Sequence, residues 1–171
     1  MTSNARILEL SAAQAARLAA AQGGDEEAVS AFIGGLATDP VRLTAEVVSV
    51  KRVAVDAGVS YGHTYRTKHD TTLLLAAIGY GHGVPRKAGN RASVTWDDSS
   101  GPRIMPIVGR VAMDVMVIDA GDSTPTLGER VVLFGSTSAG ELGLTDWAQS
   151  VDEHPVSLLA GLNRVTTETP A

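Results

Sequence analysis

Apolar and polar residues alternate through much of the chain after Pro40, and this alternation is typical of β-strands. Residues 91–96, RASVTW, place Ala92, Val94 and Trp96 on one face and polar side chains on the other. In IMPIVGRVAMDVMVID, residues 104–119, the odd positions from 105 to 117 are apolar except at Gly109. This pattern predicts one long strand or a bent pair, with the bend at Gly109. The valine-rich LTAEVVSVKRVAV and GERVVLFG predict further strands.

The first forty residues have a different character. SAAQAARLAAAQGG is rich in alanine and has no β-branched residue, and Ser11 followed by Gln14 has the form of a capping box. DEEAVSAFIGGL predicts a second short helix with acidic residues in its first turn. Near the other end, TDWAQSV and SLLAGLN predict two short helices, with Thr145 as a cap.

These patterns divide the chain into a helical N-terminal extension, residues 1–40, and a β domain, residues 41–171. The predicted fold is mainly β, a small barrel or sandwich with short helices at both ends. Asp39-Pro40 marks the boundary, because the residue before a proline avoids the helical region.

Composition narrows the classes of function. The formal net charge is −5, which argues against a nucleic-acid partner. The chain has no cysteine, so disulfides and thiolate metal sites are excluded. Its longest apolar run, residues 73–78, is too short to span a membrane, and the first residues lack the features of a signal peptide. We therefore expect a cytoplasmic protein without membrane contact.

The sequence Tyr-Gly-His occurs twice, in VSYGHTY (residues 59–65) and in IGYGHGVPR (residues 78–86). The glycines beside Tyr61 and Tyr80 predict turns or bulges at strand ends, where a side chain is exposed. Two turn tyrosines without a role would satisfy the pattern equally well. The four histidines of the chain are not spaced as metal ligands, so we expect no metal site.

Six motifs taken together resemble the C-terminal domain of alanine racemase over Leu43 to Val165. In chain order they are VSYG, GYGHGVPR, IVGRVAMD, VMVID, GERVVLFG and NRV. In that family a pyridoxal 5′-phosphate barrel precedes the β domain, and the β domain of one subunit closes the barrel site of the other. The resemblance implies that Tyr61 is the catalytic tyrosine and that the backbone of Met113 and Asp114 lies against the substrate carboxylate. It also implies that an access channel is lined by Tyr80, Arg86 and Arg110.

The chemistry of racemisation agrees with these implied roles. A proton must leave one face of the α-carbon and return to the other, which requires two acid–base groups on opposite sides. Tyrosine has a reference pKa of about 10, so it serves as a base only where a cation or the site lowers that value, and Arg110 is a candidate cation. The cofactor, and not the protein, stabilises the carbanion.

Several positions depart from the family pattern. The residue four before Tyr80, where the family's cofactor motif has lysine, is Ala76, so we expect this chain to bind no cofactor by itself. His82 replaces a usual aspartate, and Pro155 and Val156 replace a usual Tyr-Glu pair. His82 is expected to change the electrostatics of the channel.

Three functions fit these observations. The domain could complete a pyridoxal-phosphate-dependent amino-acid racemase in trans by lending Tyr61 to a second copy or to a separate barrel protein. It could instead be a binding or oligomerisation module that keeps the fold without catalysis. It could also be a piece of a larger chain that has no function alone. The sequence does not separate alanine from another small amino acid as substrate.

Overall fold

The computed structural model describes residues 4–170 and is built around a closed β-barrel. The strands are β1 (Arg6–Glu9), β2 (Arg42–Val53), β3 (Gly58–Val59), β4 (Tyr65–Arg66), β5 (Thr71–Ala76), β6 (Ser93–Asp98), β7 (Gly101–Val108), β8 (Met116–Asp119), β9 (Arg130–Phe134) and β10 (Thr166–Glu168). Six antiparallel strands form the barrel in the order β2, β5, β8, β7, β6, β9, and β9 closes it by pairing with β2. The prediction of a mainly β barrel domain is confirmed.

The alternation along the strands produces the core. Ala92, Val94 and Trp96 are buried together, as the RASVTW pattern predicts. Thr95 is also buried, although its position places it on the face predicted to be polar, because β6 pairs there with Val132 of β9. Phe134 meets Trp147 edge to face at 5.8 Å between ring centroids, which joins the barrel to the helices near the end of the chain.

The stretch around Gly109 is a bent pair and not one long strand. β7 ends at Val108, β8 begins at Met116, and the two strands pair antiparallel. Gly109 has a φ of +72°, and a Cβ added to it would lie 2.9 Å from the Cβ of Ser60. Only glycine fits this bend without strain or a clash.

Four α-helices flank the barrel, namely α1 (Ala12–Ala21), α2 (Glu26–Gly35), α3 (Leu144–Ser150) and α4 (Pro155–Gly161). Ser11 Oγ accepts a hydrogen bond from the Gln14 N–H at 3.0 Å, which confirms the predicted cap of α1. The predicted cap at Thr145 is wrong. Gly143 occupies the N-cap position of α3 without a side-chain bond, so Thr145 lies inside the first turn.

The first forty residues contain a strand that the sequence analysis did not predict. β1 pairs antiparallel with β2 and parallel with β10, so the segment predicted to be helical contributes to the sheet. Phe32 of α2 is fully buried within the main hydrophobic cluster. The division at residue 40 stays a prediction, and residues 1–3 and 171 of its two parts lie outside the described residues.

None of the helices found between residues 4 and 170 has the length and apolar character that a membrane crossing needs.

Candidate functional site

One cavity of about 490 Å³ brings together every residue that the sequence analysis proposed for a site. Its wall comes from three segments and from Arg86. We call the segments the Tyr61 hairpin (residues 58–66), the Tyr80 turn (residues 79–83) and the Met113 loop (residues 109–115). The lining residues are Tyr61, Tyr80, Arg86, Arg110, Val111, Ala112, Met113, Asp114 and Val115. Their individual roles stay predictions.

The Tyr61 hairpin presents its tyrosine to solvent. β3 and β4 pair through Gly58 with Arg66 and Val59 with Tyr65, and a single turn of 3-10 helix connects them. The backbone has positive φ at Ser60 (59°), Gly62 (76°) and His63 (45°). This tight, partly left-handed turn leaves Tyr61 77% exposed at the cavity wall.

Backbone hydrogen bonds join the Tyr80 turn to the Met113 loop. The Tyr80 N–H donates to Ala112 O at 3.0 Å and the Gly81 N–H donates to Met113 O at 2.8 Å. A Cβ on Gly79 would lie 2.6 Å from Met113 O and closer still to Ala112 O. The glycine therefore permits a backbone-to-backbone contact that a side chain would prevent.

Two arginines add positive charge to the wall. The guanidinium carbon of Arg86 lies 4.0 Å from the centroid of the Tyr80 ring, a cation–π contact. The Arg110 guanidinium lies beside Gly62, since a Cβ on that glycine would be 3.4 Å from Arg110 Cζ. Arg110 O accepts a hydrogen bond from Ser60 Oγ at 2.8 Å. Arg110 therefore contacts the residues on both sides of Tyr61, and a carboxylate in the cavity would meet cationic donors.

His82 belongs to the Tyr80 turn, but it does not line the cavity. Its side chain is fully buried, and its Nδ1 accepts a hydrogen bond from the Gly79 N–H at 3.1 Å. Arg6 Nη1 lies 2.8 Å from the other ring nitrogen, Nε2, and Asp114 Oδ1 lies 4.0 Å from it. Burial, together with the charges of Arg6 and Arg164, lowers the pKa of His82 against the opposing effect of Asp114. A neutral imidazole at this point supports the turn.

Sequence reasoning missed the residues that hold the wall from behind. Arg6 comes from β1 and also donates to Ala77 O at 3.1 Å. Asn90 bridges two of the three segments, because its Oδ1 accepts from the Gly109 N–H at 2.7 Å and its Nδ2 donates to Thr64 Oγ1 at 3.2 Å. A positive φ of 62° at Asn90 is a conformation that asparagine tolerates better than most residues. The dipeptide Gly89-Asn90 was the one sequence signal for a turn there.

The donor set of the cavity decides which groups it could hold. Its lining contains tyrosines, arginines and a carboxylate but no lysine, so it does not fit the Schiff-base linkage by which pyridoxal phosphate is held. Lys87 follows a lining residue, but its Nζ lies 3.8 Å from Asp152 Oδ2. Within residues 4–170 no cluster of three or more histidine or acidic side chains could hold a metal ion.

The fold and the sequence both match known proteins. Residues 40–169 match the family described as "Alanine racemase, C-terminal domain". This chain belongs to the alanine racemase C-terminal domain family. The alanine racemase of Thermobifida fusca is 43% identical over 122 residues, which cover 71% of this chain and 32% of that protein. The matched range includes all six motifs on which the predicted resemblance rests, so the predicted family is confirmed.

Solved structures agree with this assignment. Alanine racemase from the D-cycloserine-producing Streptomyces lavendulae superimposes with a TM-score of 0.70 at 33% identity, covering 77% of this chain and 34% of that one. The Bartonella henselae alanine racemase, a structure with covalently bound pyridoxal phosphate, gives a TM-score of 0.70 at 25% identity, covering 81% of this chain and 40% of that one. The chain spans about a third of the length of the curated relatives it matches.

Proposed function

We propose that this chain supplies one wall of the active site of a pyridoxal-phosphate-dependent amino-acid racemase, in trans, with Tyr61 as the proton carrier. The observation that supports the proposal is the convergence of Tyr61, Tyr80, Arg86, Arg110, Met113 and Asp114 on one cavity. The family match supports it as well, because residues 40–169 include every segment of the cavity wall. The expectation of a cytoplasmic protein belongs to the same proposal.

The residues of the wall suit different roles in racemisation. A phenol at the end of an exposed side chain reaches a substrate α-carbon from the side opposite to a base on the partner, which is the arrangement that racemisation needs. Arg86 and Arg110 favour the approach of an amino-acid carboxylate. The backbone of the Met113 loop, fixed by the Tyr80 turn, forms the surface against which that carboxylate lies. Pyridoxal phosphate, when bound by the partner, supplies the electron sink for the carbanion.

The exposure of the wall supports a partner. Tyr61 is 77% exposed and Met113 is 52% exposed, on the face that the proposal requires to be covered. Neighbouring apolar side chains left in water are a feature of interaction surfaces. We propose that the partner carries the cofactor barrel, either as a separate protein or within a homodimer of a longer chain. The substrate is alanine or another small amino acid.

The experiment combines the chain with an alanine racemase barrel from which the β domain has been deleted. Conversion of L-alanine to D-alanine is followed by chiral chromatography. We expect restored racemisation, and we expect Tyr61→Phe to remove about 10²–10⁴-fold of the gain, which is the usual contribution of a general acid–base group. Because Tyr61 is exposed, the substitution should leave the thermal unfolding of the chain unchanged.

Leu127→Ala is a control for substitution of an exposed side chain in general, because Leu127 is 68% exposed and lies outside the cavity. It should restore activity like the unmodified chain. Activity that is restored equally by Tyr61→Phe would reject the catalytic role of the tyrosine.

A second function, a binding or oligomerisation module without catalysis, is favoured by one observation. His82 stands where the family usually has aspartate, and it changes the support beneath the Tyr80 turn. This alternative predicts that the chain binds the isolated barrel, as measured by calorimetry, without restoring racemisation. Replacing His82 by Asp in the same mixture separates the two functions. If only His82→Asp restores racemisation, the wall of the unmodified chain has lost its catalytic geometry.

A further inference from the structure

The Tyr61 hairpin is too small to hold its own shape. β3 and β4 contain two residues each, and only two residue pairs join them. An isolated two-stranded hairpin is at best marginally stable in water. Ser60 adds a cost, because its φ of 59° and ψ of −174° lie in a region that residues other than glycine rarely occupy. The orientation of Tyr61 must therefore depend on contacts between the hairpin and the barrel.

The most buried side-chain hydrogen bond among these contacts runs from Tyr65 to Asp119. Tyr65 is the first residue of β4, paired with Val59, and its hydroxyl donates to Asp119 Oδ2 at 2.8 Å. Asp119 is the final residue of β8 and is buried. Its other oxygen accepts from the Thr71 hydroxyl of β5 and from the Gly121 N–H at 3.0 Å. The carboxylate thus connects the hairpin to two barrel strands.

The electrostatics of the pair indicate a strong bond. Burial acts to raise the pKa of Asp119, but hydrogen bonds from Thr71, Tyr65 and the Gly121 N–H outweigh it and hold that pKa below its usual range. Burial, with the hydrogen bond to Asp119 and its charge, raises the pKa of Tyr65 to about 12. The bond therefore joins an ionised carboxylate to a neutral phenol at neutral pH, and charged acceptors make the stronger hydrogen bonds.

The hairpin's other attachments are the buried side chain of Val59 and two weaker hydrogen bonds. Ser60 Oγ donates to Arg110 O at 2.8 Å, and Asn90 Nδ2 donates to Thr64 Oγ1 at 3.2 Å. Both are exposed hydrogen bonds between uncharged groups, which contribute less than a bond to a buried carboxylate. Tyr65 sits four residues from Tyr61 and does not line the cavity. It can influence the site only through the backbone of the hairpin.

We infer that Tyr65 and Asp119 are positioning residues, which hold the Tyr61 hairpin so that Tyr61 faces the cavity. The inference rests on the proposed function of Tyr61, but the ordering of the hairpin can be measured without any racemase activity. Tyr65→Phe is the sharpest variant, because it removes one hydroxyl and keeps the ring that packs beside the barrel. Asp119→Asn is a milder variant, because it keeps an acceptor oxygen and removes the charge.

The first readout is amide hydrogen exchange of the full chain by NMR. In Tyr65→Phe we expect the amides of residues 58–67 to exchange about 10-fold faster or more, as expected for loss of a hydrogen bond to a charged group. Amides in β5 and β8 should be unchanged. Ser150→Ala is the matched control, because it removes a hydroxyl that donates to Trp147 O at 2.7 Å in α3, away from the hairpin.

The second readout is a spectroscopic signature of the hydrogen bond itself, and the split between kcat and KM then distinguishes positioning from a merely structural role. The chain has three tyrosines, so tyrosine labelled with ¹³C at Cζ gives three resolvable titrations. One of them should titrate near 12 in the unmodified chain and at lower pH in Asp119→Asn. In the mixture with a barrel, Tyr65→Phe should lower kcat and leave KM nearly unchanged.

The outcomes separate the two proposals. Hairpin exchange that is unchanged in both Tyr65→Phe and Asp119→Asn would overturn the inference, whatever the racemase assay shows. Faster exchange that extends equally into β5 and β8 would also overturn it, because the pair would then be holding the barrel and not the hairpin. A chain that never restores racemisation, but whose hairpin loosens selectively, keeps the positioning role and rejects the proposed catalytic function of Tyr61.

Discussion

Replacement of Gly79 by alanine should damage the candidate site through the backbone alone. The new Cβ would lie 2.6 Å from Met113 O and 2.8 Å from Met113 C, with Ala112 O nearer still. Real Cβ atoms almost never approach other atoms closer than 3.0 Å, and Ala112 O is the nearest obstacle, so the Tyr80 turn and the Met113 loop must move apart by roughly 0.8 Å. The obstacle is peptide backbone on both sides, so no side-chain rotation can relieve it.

The expected loss of stability comes from the contacts that are disturbed when the Tyr80 turn and the Met113 loop move apart. Overpacking of a well-packed contact costs about 1–3 kcal/mol. The hydrogen bonds from Tyr80 N to Ala112 O (3.0 Å) and from Gly81 N to Met113 O (2.8 Å) lengthen at the same time, and each contributes about 0.5–1.5 kcal/mol. We therefore expect Gly79→Ala to lower the free energy of unfolding by about 2–4 kcal/mol, the sum being reduced where the two effects overlap.

Urea unfolding followed by circular dichroism measures this change through the midpoint at constant slope. Gly34→Ala is the matched control, because Gly34 lies in α2 and a Cβ there meets nothing within 4 Å. Alanine should stabilise that helix by about 0.5–1 kcal/mol, so the same substitution is expected to act in opposite directions at the two positions. A Gly79→Ala protein within 0.5 kcal/mol of the unmodified chain would contradict the close contact between turn and loop.

Two further predictions concern the residues that support the barrel and the site. Phe32→Ala should lower the free energy of unfolding by about 3–5 kcal/mol, because the ring is fully buried. Val55→Ala, at an exposed position, should change it little. Equal effects of the two substitutions in calorimetry would argue against packing of α2 on the barrel. Acidification should destabilise the chain through His82, because its pKa is lowered in the folded state and the unfolded state takes up the proton first. The stability that comes from keeping His82 neutral is fully present above about pH 6.5 and is lost as the pH falls toward the folded-state pKa. The free energy of unfolding then falls by at most about 1.4 kcal/mol per pH unit. Urea midpoints between pH 7.5 and 5 should show a shallower pH dependence in His82→Gln than in the unmodified chain.

The sequence predicted those parts of the fold in which local pattern and tertiary burial agree. RASVTW alternates, and its three apolar residues are buried. β1 and β10 contain four and three residues, which is too short for any periodicity to appear, so both strands were missed. Their formation depends on pairing with β2 and with each other. Threonine favours the N-cap position, so the sequence predicts a cap at Thr145, but packing of Leu144 into the core starts α3 earlier.

In the candidate site, too, some residues can be predicted from local sequence and others depend on tertiary contacts. The residues that line the cavity could be found because they stand in family motifs next to glycines. The residues behind the cavity could not be found in this way. Arg6 lies outside the matched range 40–169, and its contact with His82 joins residues 76 positions apart. Asp119 ends an apolar strand, where a carboxylate gives no local sign of its three hydrogen-bond donors.

The parallel pairing of β1 with β10 sets an order on folding. Ile7 pairs with Thr166, so this contact joins segments separated by almost the whole printed sequence. Closing so long a loop is entropically costly and slow, and on the ribosome it cannot begin until residue 166 has been synthesised. The six barrel strands between them can pair earlier. Arg6 of β1 reaches His82, but β1 also pairs with β2 through Arg6 and Ala45, so the support beneath the Tyr80 turn can form before β10 joins the sheet.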